Sequence, residues 1–249
     1  MAQTSAPNFW TAIQSQQVIL PTNARQVLSP RKNTFFKLDL AAMRNHLRAA
    51  PMEFTGSHPL LVQVPDAVGQ MRTLEVWESP VMAPELLAKF PEIRTYVGRP
   101  TDGSADLIRL GIGAKGFYSF SFRTDEKEDI ETVRPVAEGQ DLYYMAYRLE
   151  DLPNNVTPAG VLDCGVHDQH LPGGAVDTPK DPLGHFVADR GAGEPVKLKK
   201  YRAAISAKAE YTVFHGGTEP LVMSAIVEAV NFIAAIQERE FSLRLEIVA

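Results

Sequence analysis

The single cysteine of the chain, Cys164, stands near several histidines, and this group has the clearest potential for chemistry in the sequence. Its members are Cys164, His167, His170 and His185. Thiolate sulfur and imidazole nitrogen are common zinc ligands in proteins. The group therefore has to be considered as a metal site before the elements around it are considered.

Three interpretations of Cys164 are open. In the first, it is a small apolar residue among solvated histidines. In the second, the four residues bind a local metal ion, although a closed zinc site needs four well-placed ligands in an ordered scaffold. In the third, the thiolate occupies the open coordination position of a catalytic zinc ion, so that no water is activated there. The location favours the third, because the only thiol stands in a Pro- and Gly-rich stretch shortly before a new domain opens.

Residues 111–116, with the sequence GIGAKG, match the dinucleotide-binding pattern G-x-G-x-x-G. That pattern needs a following helix whose N-terminal amides meet the pyrophosphate. Here residues 117–122 (FYSFSF) follow and alternate as a strand does. The sequence therefore predicts a hairpin turn at this point and no nucleotide site.

Composition excludes several classes of protein. A net charge of -5 and a pI near 5.7 leave no basic surface of the kind that nucleic-acid binding requires. One cysteine allows no internal disulfide. No membrane span is expected, because the most apolar stretch, residues 221–236, is short and contains Glu228 and Asn231.

The elements predict an α+β chain. Residues 1–33 are expected to form an extended lead, because prolines interrupt them. Residues 34–150 are expected to form a β-rich antiparallel domain, because short strand patterns alternate with turn residues. The strands are predicted at 34–40, 60–64, 71–77, 93–97, 106–112, 117–122, 130–136 and 141–147, with helices at 41–50 and 84–90. Residues 151–196 contain Cys164 and are expected to be a flexible linker, since proline and glycine become frequent there.

The remaining residues, 197–249, predict a strand, a long amphipathic helix and a second strand, which is the opening of an α/β domain. Thr218 is the expected N-cap of the helix, with Pro220 in its first turn. Two strands and one helix do not close a core of their own. The apolar face of the helix needs a larger sheet, which the sequence does not visibly supply. The segment is therefore expected to be the truncated start of a domain.

Several blocks of the sequence resemble one family. Residues 29–38 (SPRKNTFFKL), 78–86 (ESPVMAPEL) and 89–96 (KFPEIRTY) are similar to the pro-region of secreted bacterial reprolysin-like zinc metallopeptidases. Residues 201–204 (YRAA), 210–212 (EYT) and 214–217 (FHGG) resemble the start of their catalytic domain. Residues 164–166 (CGV) also resemble the switch tripeptide of the wider metzincin group.

The resemblance implies a secreted zymogen. The pro-region would keep the enzyme latent and aid its folding, Cys164 would be a cysteine-switch ligand to zinc, and the parent enzyme would cleave peptides or proteins. The partner of the chain would be the remainder of its own catalytic domain.

The sequence departs from the family in one respect, the helix that binds zinc. The motif H-E-x-x-H-x-x-G-x-x-H, which marks this helix, is absent from the sequence, and His215 stands in H-G-G-T instead. The chain by itself is therefore expected to bind no cofactor, to have no catalytic residue and to be inactive. The alternative is a non-catalytic β-rich module that binds or inhibits a partner.

Overall fold

The computed structural model describes residues 6–22, 24, 26, 28–124, 129–153 and 197–249. The predicted linker lies almost wholly outside these ranges, and so do Cys164, His167, His170 and His185. The described residues up to 153 and from Leu198 onward belong to one compact unit. Mixed α+β architecture is confirmed at this level, since a large antiparallel sheet, a small parallel sheet and a few helices are present.

A nine-stranded antiparallel sheet dominates the structure, in the order β1-β2-β9-β8-β7-β6-β5-β4-β3. From β3 to β9, strands that are neighbours in the sheet are also consecutive in sequence, so short hairpins and loops build most of the sheet. Two short helices, α1 (Leu40–Leu47) and α2 (Pro84–Lys89), interrupt the strands. The strands are β1 (Trp10–Ile13), β2 (Thr34–Leu38), β3 (Leu60–Pro65), β4 (Met71–Glu78), β5 (Arg94–Pro100), β6 (Leu107–Gly113), β7 (Gly116–Phe122), β8 (Ile130–Pro135) and β9 (Tyr143–Arg148).

The sheet curls until its two edges approach each other, and we call it the half-barrel. The backbone N–H of Gln63 in β3 donates to the Pro7 carbonyl at 3.3 Å. The Trp10 indole N–H of β1 donates to the Gln63 carbonyl at 2.9 Å. Strand β1 lies inside the predicted extended lead. This part of the lead therefore belongs to the folded core, because Trp10 is buried there and β1 pairs with β2.

Both faces of the central strands are covered, as β7 illustrates. Phe117 belongs to the interior cluster of the half-barrel together with Trp10 and Tyr144. Tyr118 and Phe120 belong to a cluster on the outer face. Successive side chains of a strand point to opposite faces. All of β7 is consequently buried, although only one face lines the interior.

Residues 197–249, which we call the C-terminal segment, cover that outer face. The segment contains β10 (Lys199–Ala204), α3 (Ala209–Phe214), α4 (Glu219–Phe241) and β11 (Leu243–Val248). β10 and β11 pair in parallel. The predicted strand, helix and strand are confirmed, with Thr218 at the N-cap of α4. The expectation that nothing covers the helix is wrong, because α4 packs against β6 and β7.

Helix α4 has 23 residues and, by length and composition alone, is long and apolar enough to cross a membrane. The sequence analysis underestimated the length of this helix when it judged the apolar stretch too short for a membrane span, because the helix continues past residue 236 to Phe241. Half of its most apolar window is buried within the protein. Its polar side chains Glu228 and Asn231 contact Arg134 and the Leu110 carbonyl of the half-barrel. These are the features of a core helix, and its apolar length is weak evidence for a span.

Candidate functional site: the surface between the half-barrel and the C-terminal segment

The segment that follows β4, residues 81–83, forms an isolated parallel bridge to β11 of the small sheet. The Ile247 N–H of β11 donates to the Val81 carbonyl at 2.8 Å, and the Ala83 N–H donates to the Ile247 carbonyl at 2.8 Å. Met82 thereby pairs with Ile247 in a parallel bridge. β11 thus has hydrogen-bonded neighbours on both sides, β10 and residues 81–83. This arrangement is strand addition, in which main-chain bonds provide affinity and side chains provide specificity.

Apolar side chains from both partners form a continuous layer behind this bridge. A second layer lies further along α4, where the Phe232 ring packs 4.9 Å from Phe120 and 5.4 Å from Phe122. Apolar area removed from water is the main driving force for such association. The first layer contains Val81, Met82, Leu86, Phe90 and Ile93 of the half-barrel and Val222, Ile226, Val227, Val230, Ala234 and Ile247 of the C-terminal segment.

The turn between β6 and β7 reaches α4. Gly113 pairs with Gly116, so residues 114 and 115 form a two-residue hairpin turn, which confirms the prediction for this glycine-rich stretch. The Ala114 N–H donates to the Ser224 hydroxyl oxygen at 3.0 Å. A Cβ atom on Gly113 would lie 2.7 Å from that oxygen. Glycine at 113 therefore allows the helix to approach the turn.

A buried ion network crosses the surface near the end of α4. Arg109 of β6 has a fully buried side chain and donates to Glu238 of α4 at 2.5 Å and to Ser79 at 2.9 Å. Arg244 of β11 pairs with Glu238 at 2.6 Å and with Glu53. Burial lowers the pKa of Arg109, and the Glu238 carboxylate opposes that effect. Removing one partner of such a network leaves a buried charge uncompensated, which costs about 3–5 kcal/mol.

A second polar cluster lies where the hairpin turn meets α3. Lys115 Nζ is 3.0 Å from His215 Nδ1 and 3.8 Å from a Glu138 carboxylate oxygen. Arg134 of β8 pairs with Glu228 of α4 beside them. Burial, then Lys115 and Arg134, lower the pKa of His215 to about 4. His215 is therefore a neutral hydrogen-bond acceptor at neutral pH.

One edge of the small sheet is open. Among the described residues, β10 pairs with β11 alone, and its side chains are largely exposed. Large apolar side chains in β10 or next to it in sequence are also exposed, namely Leu198, Tyr201 and Ile205. Val213, Ile233 and Phe241 are exposed elsewhere on the C-terminal segment. An unpaired strand edge beside apolar surface is a site at which another strand adds.

The described residues do not settle the metal question. They contain no group of three or more His, Cys, Asp or Glu side chains that could hold a metal ion. Cys164, His167, His170 and His185 lie outside them, so none of the three interpretations of Cys164 is decided. His215, which the sequence did not support as a zinc ligand, contacts Lys115.

Sequence reasoning missed the charged residues of this surface. Arg109 had a signal, since a charge flanked by Ile108 and Leu110 in a buried strand needs a partner. Its partner Glu238 is too distant in sequence to be identified from pattern alone. The arrangement as a whole is suited to recognition, because its bonds and charges join two parts of the protein.

Comparison with known proteins assigns the chain to no family. No protein-family model, no curated protein and no solved structure matches the chain.

Proposed function

We propose that this chain is the N-terminal portion of a secreted, reprolysin-like zinc metallopeptidase zymogen of the metzincin group. In this proposal the half-barrel is the core of the pro-region, and the C-terminal segment is the first part of the catalytic domain. The pro-region holds that part folded and keeps the enzyme latent. The observation that carries the proposal is the strand addition of residues 81–83 to β11.

Strand addition supports a folding role for a physical reason. A two-stranded sheet with one helix is at best marginally stable by itself. The half-barrel supplies a second hydrogen-bonded neighbour to β11 and an apolar surface for α4. A C-terminal segment held in this way presents β10 as a template for the next strand. The open edge of β10, with Leu198, Tyr201 and Ile205 exposed beside it, favours a larger sheet in the parent enzyme.

Latency in this proposal depends on Cys164, whose thiolate would coordinate the catalytic zinc ion and exclude the attacking water. The zinc helix is absent from this sequence, so the other ligands would come from the parent protein. The substrates would be peptides or proteins.

The first test is the coding sequence beyond the codon for Ala249. An H-E-x-x-H-x-x-G-x-x-H string within roughly a hundred residues would identify the peptidase domain. A parent sequence with no such string would remove the peptidase from the proposal.

The second test is the activity of the unprocessed zymogen. Cys164→Ser should release peptidase activity before any cleavage, because a hydroxyl is a much poorer zinc ligand than a thiolate. The matched controls are His167→Gln and His170→Gln in the same stretch, which should leave the zymogen latent. Hydrolysis of a quenched fluorescent peptide, with intact zymogen verified by mass, measures the difference. An equally latent Cys164→Ser zymogen would eliminate the switch role.

A self-standing binding or inhibitory module is the second candidate. It is favoured by the single compact unit that includes Leu198–Ala249 and by the covered apolar face of α4. Such a module should act without further sequence, through the exposed surface around β10. Binding of a proteinase or another partner by the 249-residue chain, with no zinc helix in its parent, would establish it.

A further inference from the structure

The contact between Lys115 and His215 defines the protonation state of the histidine. A lysine ammonium group only donates hydrogen bonds. His215 Nδ1, 3.0 Å from Lys115 Nζ, must therefore accept, and the ring proton must lie on Nε2. A doubly protonated ring has no acceptor and cannot keep this bond.

The groups around His215 come from four elements. Lys115 comes from the hairpin turn, Arg134 from β8, Glu138 from the loop that follows β8, and Glu228 from α4. Within α3 itself, the Tyr211 ring packs 4.3 Å from the His215 ring. Glu138 and Glu228 already balance the two cations, as they pair with Lys115 and Arg134 respectively. A proton on His215 would thus add a positive charge directly against Lys115.

We propose that His215 is a pH-sensitive latch between the half-barrel and the C-terminal segment, and that its protonation in mildly acidic solution loosens their contact. The proposal concerns the contact itself and does not depend on whether the chain belongs to a peptidase or is a binding module. Its consequence is that acidification favours separation of the two parts.

The direction follows from linkage. In the joined state the pKa of His215 lies at about 4, below its ordinary value of 6.5, first because of burial and then because of Lys115 and Arg134 of the half-barrel. A group with a depressed pKa of this kind binds its proton more readily in the separated state. Its contribution to the contact is therefore complete above pH 6.5 and is lost progressively as the pH falls towards 4.

Hydrogen exchange of the full chain measures this contact. The Ile247 amide bonds to the Val81 carbonyl across the surface, so its protection reports on separation. After correction for the intrinsic exchange rate, protection should fall about tenfold between pH 7 and pH 5. The partial exposure of His215 reduces the effect from the larger value that the full pKa difference would imply.

Two variants separate His215 from other titrating groups. His215→Gln retains an acceptor oxygen and cannot be protonated, so its protection should change much less with pH. His58→Gln, at an exposed position of the half-barrel, should behave as the unchanged chain does. Identical pH dependence in His215→Gln and the unchanged chain would overturn the proposal.

Lys115→Met provides an independent test, which remains possible even if the His215→Gln variant does not fold. Removing the neighbouring cation should raise the pKa of His215, which an NMR titration of the imidazole resonances records. The latch would also be refuted if the pKa of His215 were the same in Lys115→Met and in the unchanged chain. It would equally be refuted if the pKa of His215 in the unchanged chain had its ordinary value. Neither result would affect the zymogen proposal, whose tests depend on Cys164 and on the parent sequence.

Discussion

The interior of the half-barrel and its outer surface are both buried, but the balance between apolar packing and ionic contacts differs between them. The interior is lined mainly by apolar and aromatic side chains, with the Trp10 ring edge-on to Phe117 at 5.4 Å and to Tyr144 at 5.4 Å, and it also holds the Arg72–Asp106 ion pair. The outer surface combines apolar layers with two charged clusters, one around Arg109 and the other around Lys115. Apolar packing is nearly independent of pH and salt, whereas ionic contacts respond to both. The contact across the outer surface is therefore expected to depend more on pH and salt than the packing around Trp10 does.

The largest effect is expected inside the half-barrel. Phe117→Ala should lower the free energy of unfolding by about 3–5 kcal/mol, because the buried ring leaves a cavity that Trp10 and Tyr144 cannot fill. Phe241→Ala is the control, since that side chain is largely exposed and should change stability by less than about 0.5 kcal/mol. Urea unfolding measures both. Similar losses in the two variants would contradict the assigned core.

A smaller loss is expected from the buried network. Glu238→Gln leaves Arg109 without its carboxylate and should cost about 3 kcal/mol, and Arg109→Met in the same chain should recover much of it. Glu240→Gln, on the exposed side of the same helix, should cost less than about 1 kcal/mol. A double-mutant cycle measured by unfolding gives the coupling between Arg109 and Glu238. If the free-energy changes of the two single variants simply add up in the double variant, Arg109 and Glu238 are not coupled and the pair does not join the two parts.

The smallest of these effects tests the approach of α4 to the hairpin turn. Gly113→Ala places a Cβ atom 2.7 Å from Ser224 Oγ and should cost about 1–3 kcal/mol through the shift that it forces. Ser224→Ala removes that oxygen and should reduce the penalty in the double variant. Thermal unfolding of both variants and of Ser224→Ala alone measures the relief. If Gly113→Ala lowers stability as much in the Ser224→Ala background as in the unchanged chain, the added Cβ atom does not clash with the Ser224 hydroxyl group.

Local pattern predicted most of the elements because their causes are local. Alternation along residues 117–122 and the glycines around them indicated a strand after a turn, and β7 follows that turn in the structure. Helical spacing after Thr218 likewise predicted α4. Prediction failed for β1, which lies among prolines and polar residues. Its strand depends on pairing with β2 and on the burial of Trp10, and neither contact is visible locally.

The candidate site was beyond sequence reasoning for the same reason. Glu53 and Arg244, or Lys115 and His215, are far apart in the chain, and nothing in their local sequence identifies the partner. The lone thiol and the histidines near it directed attention to Cys164, while the described contacts concern a different part of the protein.

The amino-acid sequence alone determined the mixed α+β composition, the hairpin at the glycine-rich stretch and the strand–helix–strand of the C-terminal segment. These features follow from side-chain periodicity and turn chemistry, which act over a few residues. Only the tertiary structure decided that the sheet curls until its edges meet, that its outer face covers α4, and that residues 81–83 extend the small sheet. Those outcomes depend on contacts between residues distant in sequence, because an apolar face specifies that it must be covered and not what covers it.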